Sequence, residues 1–352
     1  MSKRRPIALN DLSFIEKASS SDISDQALEQ LAKKPISSST QEIYAGRLGI
    51  FEAWASRNDW RSFPTTPEVV QRFVVFEAGR GLALSTVRTS VCAIGHFHRD
   101  EGYRDPTESE RVRNTLQNIA RVSDPPSRIS KPVRREKFVR MIRALRGAPE
   151  NGMEAGDTGE PPSVRTEANR LRGIRDRALL LIVFGGALRR SEGAGIKCAH
   201  VSFEDRGLKL LIPGSKGDQV REGQRVCVRC AESEELCPAQ ALQRWLREAS
   251  INEGPIFRPV PPSGNIPSST RGPICGATVN DAVKRAAAAA GFTPDEVSAH
   301  SLRYGHLITA AEEGASLANL QRHARHSDPQ TTARYIQEAN RMSTTTSQHL
   351  EL

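Results

Sequence analysis

The segment SDPPSRISKPVRRE, residues 123–136, most constrains the fold of this 352-residue chain. Its prolines lack a backbone donor and disfavour helix at the residue before them, so the helical patterns on either side cannot run into one another. Four basic residues are interleaved with the prolines, as in a linker lying against a polyanion. We place a domain boundary there, with 123–135 as linker. The length is sufficient for two domains, each burying its own core.

Residues 36–122 read as a small all-helical module. In SSSTQEIYAGRLGIFEAWASRN, Ile43, Leu48, Phe51 and Trp54 recur at helical spacing behind a Ser/Thr cap, predicting a helix from near Thr40. TPEVVQRFVVFEAGRG follows, capped by Thr66 with Pro67 in its first turn, then LSTVRTSVCAIGHFHRDEG and SERVRNTLQNIARV. Residues 1–35 are polar and Ser-rich and are expected to be loosely held, with one short helix around SDQALEQLAKK.

Beyond the linker the pattern is mixed. A helix is expected around REKFVRMIRALRG, then a flexible insertion from Ala148 to Ala168, rich in Gly, Pro and acids. GIRDRALLLIVFGGALRRSEGAGI predicts a buried helix broken at Gly185-Gly186, with Arg189 and Arg190 emerging just beyond the apolar run. A basic pair there must face a solvent cleft or a ligand. HVSFEDRGLKLLIPGSKGDQVREGQRVCV alternates short apolar strands with Gly-rich turns, predicting a small antiparallel sheet with Lys216 on a hairpin tip. Helices follow at PAQALQRWLREAS, TVNDAVKRAAAAAGF and AHSLRYGHLITAAEEG, the last two ended by Gly291 and Gly314. In SDPQTTARYIQ, Ser327 or Asp328 can cap and Pro329 suits the first turn, which puts Tyr335 inside a helix. The expected fold class is mainly α with a small antiparallel β-sheet.

Fifty Lys and Arg against forty-one Asp and Glu favour a polyanionic partner. No run approaches the roughly 20 apolar residues of a membrane span, and the N-terminus lacks the apolar stretch of a secretory signal. A soluble, intracellular protein without a membrane partner is expected. Six cysteines over this length form no disulfide framework. Cys227, Cys230 and Cys237 have the spacing of a metal site, whose fourth ligand would be Cys198 or His200, but strand and loop thiols are the stronger reading.

Four separated pieces each place a phosphate-handling group near an element end. These are ALRRSE with Arg189, GSKGD with Lys216, HSLR with His300 and Arg303, and HSDPQTTARY with His326 and Tyr335. Singly, each has a plainer reading: arginines in surface ion pairs, a solvated turn lysine, core or capping histidines, a packed tyrosine. In this order and spacing, however, the set resembles the tyrosine recombinase (phage integrase) family. The family's arginine in Gly-Leu-Arg-x-Ser-Glu falls on Arg189, its hairpin lysine on Lys216, and its His-x-x-Arg on His300 and Arg303. Its later histidine and nucleophilic tyrosine, nine positions apart, fall on His326 and Tyr335; His323 is a competitor for the histidine role, but the spacing favours His326.

The chain departs from the family in having Ala324-Arg325-His326 for Leu-Gly-His, Tyr304 and Gly305 for His- or Ser-type residues, and Gly193 for a bulky apolar residue after Ser-Glu. The resemblance implies a helical core-binding domain at 36–122 and an α+β catalytic domain at 136–338, clamped around double-stranded DNA. It implies site-specific cleavage and rejoining through a 3′-phosphotyrosyl intermediate, with no cofactor and with arginines in place of a metal. It further implies a homotetramer on DNA recombination sites in a cytoplasmic, nucleoid-associated setting, with residues 339–352 as a tail contacting a neighbouring protomer. Two other readings are a type IB topoisomerase-like relaxing enzyme and a non-catalytic DNA-binding regulator of the same fold.

Overall fold

The structure is a computed structural model, and it describes residues 36–122, 131–145, 164–213, 223–267 and 272–340. The expected helix around SDQALEQLAKK, most of the linker, Lys216 and the tail from Arg341 onward lie outside the described residues. The chain divides into two compact units between Ser127 and Arg128.

The described part of the first unit is helical: α1 (Ser38–Arg57), α2 (Pro67–Gly79), α3 (Leu84–Asp100) and α4 (Glu110–Val122). Phe51, Val70, Phe73, Val87, Ile94 and Val112 form its core, because their spacing puts them on one face of each helix. Two local readings need correction. Ile43 is 54 % exposed and joins no core. Thr66 occupies the N-cap position of α2 but makes no side-chain cap bond; Pro67 arrives with its φ already suited to the first turn, so the helix starts without one.

In the second unit, α5 (Arg135–Ala144) and α6 (Val164–Gly185) precede a short helix α7 (Arg190–Ala194). A three-stranded antiparallel sheet follows, with order β1 (Val201–Glu204), β2 (Gly207–Ile212), β3 (Gln224–Arg229). Then come α8 (Pro238–Glu248), α9 (Gly276–Ala289), α10 (Ala299–Glu312), α11 (Leu317–Ala324) and α12 (Pro329–Ala339). The register pairs Leu208 with Val228 and Leu210 with Val226. These alternate side chains pack inward on the run Ala178–Val183 of α6 and on Leu242 and Trp245 of α8. Gly291 and Gly314 take φ +77° and +86° just beyond α9 and α10, as helix-ending glycines do.

The helix α6 begins at Val164, inside the segment expected to be an insertion. Its early residues Ala168 and Leu171 are buried, and Arg170 is held by Glu167 and Glu248, so tertiary packing extends the helix into a stretch with weak sequence signal.

A second, smaller cluster joins Ala187, Leu307, Ile308, Leu320, Ala324 and Tyr335. It packs α10, α11 and α12 on the turn after α6. Two departures from the family pattern are packing solutions in this region. A Cβ on Gly193 would lie 2.6 Å from Val183 Cγ2. At Gly305 it would overlap the carbonyl of Val133, whose N–H donates to Ser301 where residues 131–134 cross α10. Gly305→Ala is therefore expected to destabilise the second unit by about 2–3 kcal/mol, as overpacking does. Gly46→Ala, with open space around it in α1, should gain about 0.5–1 kcal/mol from lost chain entropy. Thermal or urea unfolding of the two variants checks the contrast.

Candidate active site

The helix α6 ends at Gly185 because Ala187 turns into the left-handed region, φ +43°. Leu188, fully buried, returns its N–H to the Val183 carbonyl and fixes the turn. Arg189 follows in extended conformation as the N-cap of α7. Its backbone N–H donates to Glu192 Oε2 (2.8 Å), its Nη1 to Glu192 Oε1 (2.6 Å), and its Nη2 to the carbonyl of Arg325 (3.1 Å). Burial pushes the Glu192 carboxyl up, but the charge of Arg325 and the hydrogen bonds from Arg189 outweigh it and hold it ionised below the ordinary range.

His300 and Arg303 lie three residues apart on the first turns of α10, where Ser298 caps the helix. Arg303 is 3 % exposed. Its Nη1 donates to the Ala187 carbonyl (2.5 Å) and its Nη2 to that of Ala324, tying α10 to both neighbouring turns. Burial, then the charges of Arg189 and Arg325, lower its pKa to about 10. The His300 imidazole is also held below its ordinary value, by burial and by Arg303.

The third strut is the turn between α11 and α12. Arg325 ends α11 at φ 59°, ψ 46°. His326 then sets its Nδ1 2.9 Å from Thr332 Oγ1 and its ring against Tyr335, with centroids 5.7 Å apart and 17° between planes. Asp328 caps α12 by accepting from the Gln330 N–H, and Pro329 opens it. Tyr335 is 8 % exposed and meets Tyr304 edge-on at 5.2 Å. Burial raises its hydroxyl pKa, against the opposing charge of Arg303. For His326, burial followed by Arg303, Arg189, Arg325 and His300 lowers the pKa to about 4.

Arg189, His300, Arg303, His326 and Tyr335 thus line one open cleft of about 970 Å³. Leu211, Ile212 and Pro213, at the end of β2, form part of the same wall. Lys216 belongs to the β2–β3 connection and lies outside the described residues. Lys209 is paired with Glu204 at 2.9 Å and is not among the residues lining this cleft. His323 is likewise absent from it: its Nε2 lies 2.9 Å from the Gly185 carbonyl and its ring stacks on His306. The three clustered cysteines do not converge. Cys227 faces solvent on β3 between inward Val226 and Val228, while Cys230 and Cys237 approach to 2.7 Å. Among the described residues no group of three His, Cys, Asp or Glu side chains is placed to hold a metal ion.

Sequence reasoning does not single out three residues that shape this site: Glu192 and Thr332 sit within ALRRSE and HSDPQTTARY with no role assigned to them, and Arg325 shows only as a departure from the family pattern. Residues 164–342 match the phage integrase family. The chain belongs to that family. It is a tyrosine recombinase, an enzyme of DNA strand cleavage and rejoining. It is 27 % identical over 311 residues to the integrase/recombinase XerD homolog of Selenomonas ruminantium, covering 88 % of this chain and 84 % of that one. Against the recombinase Cre of Escherichia phage P1 it is 24 % identical over 206 residues, covering 58 % and 53 %.

Solved structures show the same fold. The XerH site-specific recombinase bound to palindromic difH substrate, a post-cleavage complex, superposes with TM-score 0.56 at 18 % identity, covering 86 % of this chain and 80 % of that chain. The Tn1549 transposon integrase with transposon right end DNA gives 0.59 at 13 %, covering 93 % and 98 %.

His300, His306, His323 and His326 share one electrostatic condition, a pKa lowered by burial and by neighbouring arginines. His306, partly buried against His323 with Arg303 and Arg325 nearby, is lowered to about 3. A folded-state pKa below the unfolded value means the folded protein binds fewer protons, so stability is lost as pH falls through about 6.5 toward the folded value. Histidine NMR titration should find His306 and His326 still neutral at about pH 5. The melting temperature should fall over the same window, less steeply for His306→Phe. Titration of His326 near its ordinary value would contradict this account of the cleft.

Proposed function

We propose that Tyr335 is the nucleophile of a site-specific recombination reaction and that Arg189, His300, Arg303, His326 and Lys216 serve the same phosphate. The observation carrying this reading is the convergence of five side chains, from α7, α10 and the α11–α12 segment, on one cleft. A phosphodiester repels nucleophiles, and charge grows on its oxygens in the transition state. Arg189 and Arg303 each have two guanidinium donors occupied by protein acceptors, which fixes the fork and leaves the remaining N–H groups for the non-bridging oxygens. In this reading the neutral His326 ring carries its proton on Nε2, accepts the Thr332 hydroxyl at Nδ1, 2.9 Å away, and adds one more donor to the phosphate.

The Tyr335 oxygen forms a bond to phosphorus as the bond to the 5′-oxygen breaks. The phenolic proton passes to His300, whose lowered pKa keeps it neutral and able to accept. Lys216 protonates the departing 5′-oxygen. The product is a 3′-phosphotyrosyl link, which a second 5′-hydroxyl attacks to rejoin strands without an external energy source. Residues 36–122 are assigned as the core-binding domain, 136–338 as the catalytic domain, and 339–352 as the tail joining protomers of a homotetramer on paired DNA sites. The setting is the cytoplasm, at the nucleoid; among the described residues no helix is long and apolar enough to cross a membrane.

On a nicked suicide duplex the wild-type chain should give a covalent adduct in EDTA, and Tyr335→Phe, which keeps the ring packing, should bind without forming one. An adduct that persists, or maps to Tyr304, removes Tyr335 from the role. Arg303→Lys keeps charge but loses the fork, and should slow adduct formation by about 10²-fold or more. For Lys216, a 5′-bridging phosphorothiolate is decisive, because a thiolate leaves without a proton. Lys216→Ala should cleave normal DNA very slowly and the phosphorothiolate at nearly the wild-type rate. Equal impairment on both substrates would exclude Lys216 as the acid.

A further inference from the structure

Arg325 occupies a position that ordinary backbone energetics would give to glycine. It ends α11 in the left-handed region, where the Cβ of an L-residue crowds the backbone. Its guanidinium is also drawn out of water, with 1 % of the side chain exposed. Both costs call for compensation, and the contacts supply it. Nη1 donates to the carbonyls of Gly186 (3.2 Å) and His323 (2.6 Å). Nη2 donates to the carbonyl of Ala187 (3.0 Å) and to Glu192 Oε2 (2.8 Å). Gly186 and Ala187 lie just past the C-terminus of α6, where a positive charge is favoured.

These bonds are reciprocated. Arg189 Nη2 donates to the carbonyl of Arg325, and Arg303 shares the Ala187 carbonyl that Arg325 also uses. Two turns far apart in sequence, 186–192 and 323–326, are therefore laced together by arginines from both sides. A glycine at 325 would satisfy the backbone and keep the carbonyl that Arg189 uses, but it would provide none of the four guanidinium bonds.

Building on the catalytic reading above, we propose that Arg325 is a positioning residue for strand cleavage. Its guanidinium locks the turn carrying Arg189 to the turn carrying His326, so that both address one phosphate. The guanidinium fork is essential, because two terminal nitrogens must meet four acceptors on Gly186, Ala187, Glu192 and His323 at once. Arg325 also contributes to the electrostatic setting of His326. That ring is surrounded by Arg189 and Glu192 of α7, His300 and Arg303 of α10, Thr332 and Tyr335 of α12, and Arg325 itself.

The test uses full-length wild type, Arg325→Gly and Arg325→Lys, with two readouts. The first is single-turnover adduct formation on a nicked duplex bearing the position at which wild-type adducts map, with DNA affinity measured alongside. The second, made without DNA, is the NMR titration of His326. Arg325→Gly should bind DNA with near wild-type affinity and form the adduct about 10²-fold more slowly, the usual cost of a misplaced group. Its His326 should titrate at higher pH than in wild type. Arg325→Lys keeps the charge, so His326 should titrate close to wild type while adduct formation stays slow.

Near wild-type cleavage by either folded variant would overturn the proposal. So would loss of fold in both, which would make Arg325 a stability residue. Should wild type itself form no adduct, the catalytic reading fails, and the DNA-free titration still reports on Arg325: an unchanged His326 in Arg325→Gly would count against its link to that turn.

Discussion

One carboxylate holds the cleft together. Glu192 accepts from the backbone and guanidinium of Arg189 and from the guanidinium of Arg325, and it is nearly buried. With Arg303 nearby, three like charges share a region where burial magnifies repulsion. A single anion cannot neutralise three cations. Backbone carbonyls do the rest: those of Gly186, Ala187, His323, Ala324 and Arg325 all point at guanidinium donors. The residual positive potential is what a phosphate diester would compensate, and a site assembled around it spends its stability in advance of binding.

That arrangement dictates local backbone elsewhere. Carbonyls become free to face the arginines only because α6 stops at Gly185 and Ala187 adopts a left-handed turn. The α11–α12 turn must likewise bend sharply at Arg325 to bring its carbonyl and the His326 ring to the same side. Small residues make the approach possible: Gly193 lets α7 lie against Val183, and Gly305 lets residues 131–134 cross α10. The departures at 193, 305 and 325 are thus parts of one packing solution. The same field governs titration, since burial and neighbouring arginines hold His300 and His326 below their ordinary pKa while burial raises that of the Tyr335 hydroxyl.

Much of this was legible in the amino-acid order. Apolar spacing located the helices of 36–122 and most of those of 136–338, though not the short α7 and α11; alternation located the hairpin strands, and Gly185-Gly186, Gly291 and Gly314 marked helix ends, because these signals are local and the periods of helix and strand differ. The order of Arg189, His300, Arg303, His326 and Tyr335 pointed to the family for a different reason: residue identity and spacing can be matched to a family's motifs even where the residues meet only in the fold. Where the sequence reading missed, the cause was non-local. The early start of α6 depends on Glu248, some eighty residues away, and the exposure of Ile43 depends on what the other helices leave uncovered.

Sequence alone determined which side chains were available and which elements bear them. Spacing to Tyr335 favoured His326 over His323, but the physical reason lies in the fold: His323 sits inside α11 and turns to the Gly185 carbonyl, while His326 follows the helix and lines the cleft. The sequence could not reveal that Arg325, seemingly a substitution for glycine, reaches back across more than 130 positions to Glu192 and Ala187. Those choices belong to the tertiary structure. They are made by competition among buried charges for a few carbonyls and one carboxylate, and the winner depends on distances that exist only once the turns have met.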